Sequence, residues 1–276
     1  MALINSISQN LITSKNLKKI LGYKKIRIID CRWYLEDKEK GYFLYKKNHI
    51  PGAIFFNIDK ISNKESELPH MFPKTDTFIE FVNKFGINKN SEIIIYDQIG
   101  FFSSSRVWLL FKYFGFKRVK ILDGGFNIWL KSQYQLENSQ KKSRYSRCYS
   151  QISMPNLIIN KLSLKKEVNT NKSIIIDARP VARFKGEVEE PRPNLKKGNI
   201  KNSVNTFFGL ITNNHGCLKK KDELIEIFDR FSKKKDIICY CGSGITACNI
   251  IFVLYILNFK KIKLYDGSWA EWGKIK

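Results

Sequence analysis

The chain is short of histidine, methionine, proline and acidic residues. Of its 276 residues, three are histidine, three methionine and seven proline, and 25 acidic residues face 49 basic ones. With only His49, His70 and His215, and no Cys-x-x-Cys pair, nothing has the spacing of a zinc site; neither a metal nor another cofactor is expected. The longest apolar run, Ile250–Leu257, is far too short to cross a bilayer, so no membrane partner is expected. Met1–Lys15 lacks the charged start and long apolar core of a secretion signal, which makes the cytoplasm the expected compartment. Six cysteines, at positions 31, 148, 217, 239, 241 and 248, are scattered rather than patterned, and a reducing compartment would keep them free. Cys239 alternates with Cys241 along a strand, leaving a redox pair there as an alternative.

The shortage of acid gives a formal charge of +24. Nucleic-acid binding is one reading of such a balance. The lysines, however, spread along the whole chain in runs no longer than Lys233-Lys234-Lys235, and no RNA-binding or helix-turn-helix signature accompanies them. Compositional drift towards Lys, Ile and Asn is the preferred reading, and nucleic acid is not the expected partner. A basic surface still draws in anionic small molecules.

What the chain does contain is a cysteine in a reactive setting. Asp236–Tyr240 reads as a buried strand and Cys248–Leu257 as a half-buried helix. Between them, Cys241-Gly242-Ser243-Gly244-Ile245-Thr246-Ala247 forms a short glycine-containing loop. Backbone N–H groups of such a loop can converge on the sulfur, and the helix N-terminus adds a favourable dipole; both stabilise a thiolate. A buried structural cysteine in a tight turn is the alternative. Glycines on both sides of Ser243 favour the nucleophile.

Taken in order, strands are expected at Ile26–Cys31, from Ile54, at Glu92–Asp97 and at Arg118–Leu122. Helices are expected at Thr75–Phe85 (Thr75 or Asp76 as N-cap), from Ser103-Ser104-Ser105 to Phe114, and around Trp129. The pattern then begins again. Asp30-Cys31-Arg32 returns as Asp177-Ala178-Arg179, Tyr96-Asp97 as Tyr240-Cys241, and Asp123-Gly124-Gly125 as Asp266-Gly267-Ser268, at a near-constant offset of about 145 residues. The expectation is an α/β protein of tandem duplicated domains, each a mostly parallel sheet flanked by helices. Residues 10–133 form the first domain, 134–157 a polar linker and 158–276 the second. Ligands of such sheets bind beyond the carboxyl ends of the strands, where Cys241 lies. Asp97 occupies the equivalent place in the first domain, and an acid cannot do the work of a thiolate. The second domain is therefore the catalytic one.

At this point the chain resembles the two-domain rhodanese family of sulfurtransferases. The resemblance rests on His49-Ile50-Pro51-Gly52-Ala53, Arg106-Val107-Trp108, Leu122-Asp123-Gly124-Gly125, Ile176-Asp177-Ala178-Arg179, Arg183-Phe184-Lys185-Gly186, Glu190-Pro191-Arg192-Pro193, Cys241 through Ala247, and Tyr265-Asp266-Gly267-Ser268-Trp269. Members that use thiosulfate typically carry Arg-Lys after the cysteine. Gly242-Ser243 resembles members acting on 3-mercaptopyruvate. The resemblance implies ping-pong transfer through a persulfide on Cys241, with pyruvate released and a thiol such as thioredoxin, or cyanide, as acceptor. It implies Arg183 and Arg192 as carboxylate-binding residues, as suits a bidentate guanidinium, with Gly242, Ser243, Gly244, Ile245 and Thr246 framing the donor. It also implies a relay of Ser243, His70 and Asp59, with Asp59 and His70 contributed by the first domain; the alternative for His70 is an interface histidine.

One segment departs from the family. Gly198-Asn199-Ile200-Lys201-Asn202-Ser203 stands where Gly-His-Ile-Pro-Gly-Ala is usual, which puts that turn in question. Three rival functions make different demands on the sequence. A rhodanese-like phosphatase needs an arginine where this chain has Ala247. A non-catalytic binding module would have no reason to keep the Cys241 loop together with both arginines. A nucleic-acid binder would lose affinity steeply as salt rises. Thiosulfate is the alternative donor. The sequence leaves the oligomeric state open.

Overall fold

The computed structural model describes residues 7–139, 145, 147 and 153–275. These form two compact units: Met1–Lys64 with Phe72–Met154 and Thr212–Leu218, and Glu65–Met71 with Pro155–Ile211 and Lys219–Lys276. Each holds a five-stranded sheet, and the two share one topology. In the first unit the strands are β1 (Leu11–Ile12), β2 (Ile26–Asp30), β3 (Ala53–Phe55), β4 (Glu92–Tyr96) and β5 (Val119–Leu122), ordered β1-β5-β4-β2-β3. In the second, β6 (Ile158–Ile159), β7 (Ile174–Asp177), β8 (Ser203–Asn205), β9 (Ile237–Tyr240) and β10 (Ile262–Tyr265) run β6-β10-β9-β7-β8. Every pairing between these strands is parallel.

Helices cover both faces, which is why the central strands are apolar without alternation. Ile93–Tyr96 and Ile237–Tyr240 are buried residue by residue. On one side of the first sheet, Ile28, Ile94, Tyr96, Leu122, Phe126 and Trp129 share a core. Around Phe78 the unit packs aromatic on aromatic, with Phe114 stacked at 4.2 Å and Phe111 edge-on at 5.1 Å. In the second unit Ile175, Ile238, Tyr240, Tyr265 and Trp269 repeat the first arrangement.

The duplication extends to buried charge. Arg32 folds back on Asp30 at 2.7 Å and Arg179 on Asp177 at 2.6 Å, all four side chains excluded from solvent. Each guanidinium also lies 4.3 Å from a ring centroid, Phe126 for Arg32 and Trp269 for Arg179. Each then donates to a turn carbonyl at 2.7 Å, Asn48 in the first unit and Gly198 in the second.

That last bond explains how the unusual turn keeps its shape. Gly52 adopts φ +75 in the first unit, and Asn202, its counterpart, adopts φ +65. Asparagine tolerates the left-handed region better than most side chains. The Tyr240 hydroxyl accepts from the Ile200 N–H at 3.1 Å, as Tyr96 does from Ile50 at 3.3 Å. Loss of the family's His and Pro leaves this turn intact.

Three expectations need correction. Residues 134–137 are not a free connector: Tyr134 packs edge-on against Trp129 at 5.0 Å, and Glu137 pairs backbone to backbone with His49. Residues 140–144, 146 and 148–152 of that segment lie outside the described residues. The Thr75–Lys84 helix starts at Thr75 itself, with extended Lys74 at the cap and no side-chain cap bond. The Ser103 hydroxyl does not cap its helix either, because it donates to the Cys31 carbonyl at 2.7 Å.

Candidate active site

Cys241 is the first residue after β9, and it is 2 % exposed. The loop turns at Gly244, whose φ of +79 favours glycine, and enters the Ala247–Ile256 helix. Its first two carbonyls are pinned, Cys241 accepting from the Trp269 N–H and Gly242 from the Ala270 N–H, each at 2.9 Å. The Cys241 N–H donates to the Ser268 hydroxyl at 3.2 Å. In the first unit Asp97 and Gln98 are pinned the same way by Phe126 and Asn127, at 2.8 and 3.0 Å.

The two loops then diverge in what their donors find. Asp97, fully buried, accepts through its carboxylate from the N–H groups of Ile99, Phe102, Ser103 and Ser104 at 2.7–3.1 Å. The first loop thus binds an anion belonging to its own chain. Burial raises the Asp97 carboxyl above the ordinary range, while the backbone donors pull it back down. Around Cys241 no carboxylate of the described residues takes that place. Among the described residues, the N–H groups of Gly242, Ser243, Ile245 and Thr246 donate to no protein acceptor. They do not reach the resting sulfur, contrary to the expectation that they converge on it, and they remain free for an external anion.

Arg183 comes from the short Val181–Lys185 helix that follows β7. Its guanidinium overhangs the loop: a Cβ placed on Gly242 would stand 3.0 Å from Nη2. Glu190 holds it, accepting from Nε at 3.2 Å and from Nη2, and accepts as well from Nη1 of buried Arg179 at 2.7 Å. The Arg183 side chain keeps 18 % exposure. Its Nη1 has no partner among the described residues. Arg192 lies in the bend just beyond Glu190, half-buried.

His70 belongs to the second compact unit, through the Glu65–Met71 segment, rather than to the first. It is 5 % exposed, adopts φ +60, and its Nδ1 lies 2.9 Å from Ser243 Oγ. A non-glycine residue held in the left-handed region is a conformation that surrounding structure must enforce. The expected Ser243–His70 pair is thus in contact. Asp59 belongs to the first unit, where its carboxylate accepts from the Trp33 indole N–H at 2.9 Å.

The other cysteines do not share this setting. Cys239 is fully buried, and burial pushes its thiol well above the ordinary value, with the neighbouring Cys241 and Cys248 adding to the rise. Cys248 donates to the Gly244 carbonyl at 3.2 Å. All described cysteines are free thiols. Sequence reasoning overlooked Ser268, Glu190 and Asn202. Ser268 was detectable as the one polar side chain replacing Gly125 of the repeat, and Glu190 as the acid preceding Pro191-Arg192.

Among the described residues no helix is long and apolar enough to cross a membrane, and no cluster of His, Cys, Asp and Glu could hold a metal ion.

Known proteins share this pattern. The Rhodanese-like domain family matches this chain twice, at residues 13–132 and 161–275. The 3-mercaptopyruvate sulfurtransferase of Escherichia coli strain K12 is 37 % identical over 256 residues, covering 90 % of this chain and 89 % of its own. The Thiosulfate/3-mercaptopyruvate sulfurtransferase 1, mitochondrial, of Arabidopsis thaliana is 32 % identical over 291 residues, covering 97 % and 77 %. Among solved structures, the crystal structure of SseA from Escherichia coli superposes with a TM-score of 0.83 at 33 % identity, covering 95 % of this chain and 99 % of that one. With two rhodanese-like domains and an intact cysteine loop in the second, the chain belongs to the rhodanese family of sulfurtransferases.

Proposed function

We propose that this protein moves sulfane sulfur from 3-mercaptopyruvate to a thiol acceptor through a persulfide on Cys241. The observation that carries the reading is the contrast between the two loops: the first fills donors with the Asp97 carboxylate, and in the second the N–H groups of Gly242, Ser243, Ile245 and Thr246 meet no protein acceptor among the described residues, beside a thiol. Neutral Gly242-Ser243 lets the Arg183 guanidinium approach the loop, which suits an α-keto carboxylate better than a row of cations would. Arg192 is assigned as a second carboxylate contact by the resemblance.

The Cys241 thiolate attacks the donor's sulfur. The S–S bond forms as the donor's C–S bond breaks, and the electron pair leaves on carbon as the enolate of pyruvate, which takes up a proton. Ser243 Oγ, within the reacting loop and hydrogen-bonded to His70, donates to the carbonyl oxygen where negative charge develops. Asp59 enters this relay on the resemblance alone. The N–H groups of Gly242, Ser243, Ile245 and Thr246 then hold the terminal persulfide sulfur until an acceptor thiolate, such as that of thioredoxin, or cyanide removes it and returns Cys241 to the thiolate. The cytoplasm suits a nucleophile that must be regenerated as a free thiol.

A second donor is favoured by one comparison, since the Arabidopsis relative is named for thiosulfate as well as 3-mercaptopyruvate. The test is mass spectrometry of the protein after exposure to 3-mercaptopyruvate without acceptor. A gain of one sulfur atom on Cys241, with one pyruvate released per site, is expected; sulfur on another cysteine, or pyruvate release by Cys241→Ala, would contradict the mechanism.

A further inference from the structure

Arg183 does not hold its position by itself. Four side chains form a chain of alternating charge running outward from the core: Asp177, Arg179, Glu190, Arg183. The inner pair is excluded from solvent, and the Glu190 carboxylate is 2 % exposed. Glu190 uses one oxygen for Arg179 Nη1 and engages Arg183 through the Nε–Nη2 edge. An arginine has five N–H donors in a rigid fork, so fixing one edge fixes the direction of the rest. The free edge, through Nη1, remains for a ligand. The first unit repeats the buried Asp30–Arg32 pair, and there Arg32 makes no ion pair beyond Asp30 among the described residues.

We propose that Glu190 is a positioning residue that aims the Arg183 guanidinium over Gly242 and sets the preference for a monoanionic donor over a dianionic one. Its second effect follows from charge. Two carboxylates and two guanidiniums cancel, so the anchored Arg183 offers directed N–H donors with little net positive field. A carboxylate can use directed donors through a bidentate contact. Inorganic thiosulfate carries two charges and gains more from net positive potential than from a fixed fork. This rests on Arg183 binding the donor's carboxylate, as proposed above.

The variant to make is Glu190→Gln, which keeps the shape and an acceptor oxygen and removes the charge. KM for 3-mercaptopyruvate should rise on the order of tenfold, the effect of losing one charge-assisted contact, with kcat changed by less than about twofold. The ratio of kcat/KM for 3-mercaptopyruvate to that for thiosulfate should fall by a similar factor. In an Arg183→Gln background, adding Glu190→Gln should leave KM unchanged, since Glu190 acts through Arg183. A structural role alone would instead lower kcat for both donors in parallel and persist in that background; either result overturns the proposal. If Glu190→Gln does not fold, Glu190→Asp keeps the charge and shortens the reach; it should raise KM for 3-mercaptopyruvate without moving kcat, and an unchanged KM overturns the proposal. An independent readout uses no sulfur donor: phenylglyoxal modification of Arg183, followed by peptide mass spectrometry, should be faster in Glu190→Gln than in wild type. Equal rates refute the anchoring by Glu190, whereas faster modification in a protein that never releases pyruvate would fault the donor assignment and leave the anchoring standing.

Discussion

His70 Nδ1 stands 2.9 Å from Ser243 Oγ, joining positions 173 residues apart in the chain within one compact unit. Both side chains are buried, so their bond is shielded from competing water. If the pair acts as a unit on the developing enolate, Ser243→Ala and His70→Asn should each lower kcat for 3-mercaptopyruvate by about tenfold or more. Asparagine is chosen because it accepts the left-handed backbone at this position. The double variant should be no slower than the worse single one; additive losses in steady-state kinetics would show that the two side chains work separately.

Gly242 is small because Arg183 is close. A methyl group there would sit 3.0 Å from the guanidinium, tighter than ordinary contact, and Arg183 would have to shift. Gly242→Ala should therefore raise KM for 3-mercaptopyruvate on the order of tenfold while thermal stability stays within a degree or so, because the displaced group is the partly exposed end of a long side chain. An unchanged KM would separate Arg183 from donor binding.

The fold was largely legible because parallel sheets write themselves as uninterrupted apolar runs. Glu92–Tyr96 and Ile237–Tyr240 stand out in the sequence, and the Asp-x-Arg that ends β2 and β7 marks the repeat. Cys241 was legible from its place between strand and helix. Illegible were the features set by contacts distant in sequence. Nothing near His70 signals that Glu65–Met71 packs with the second unit. The turn at Gly198–Ser203 looked doubtful because two family residues are missing, yet its shape depends on Tyr240, Arg179 and the backbone of Asn202. Asp97 looked like a dead cysteine position, and it proved to be an internal ligand for four N–H groups.

That role makes Asp97 a stability residue. Asp97→Ala leaves four buried or half-buried donors without their acceptor, and the loss should be about 3 kcal/mol in urea denaturation. Sulfur transfer by the protein that remains folded should be unaffected. A loss below about 0.5 kcal/mol would mean that water replaces the carboxylate at little cost.

Burial lowers the Lys112 ammonium to about 8 from its ordinary 10.5. Below pH 8 both folded and unfolded chains are protonated there, and the cost of burying the charge is present in full. Between about 8 and 10.5 the folded chain gives up this proton while the unfolded chain keeps it, so the unfolded state binds more protons and stability rises with pH. Relative to Lys112→Met, which carries no such charge, the wild type should gain stability across this window in urea titrations. A difference that stays flat or falls would mean that Lys112 remains charged in the fold.

The most direct test of the account compares donors on one enzyme. Steady-state kcat/KM should be measured for 3-mercaptopyruvate and thiosulfate with the same thiol acceptor, on wild type and on Cys241→Ala. Wild type should favour 3-mercaptopyruvate, and Cys241→Ala should be inactive with both donors. More efficient turnover of thiosulfate, or activity surviving without Cys241, would contradict it.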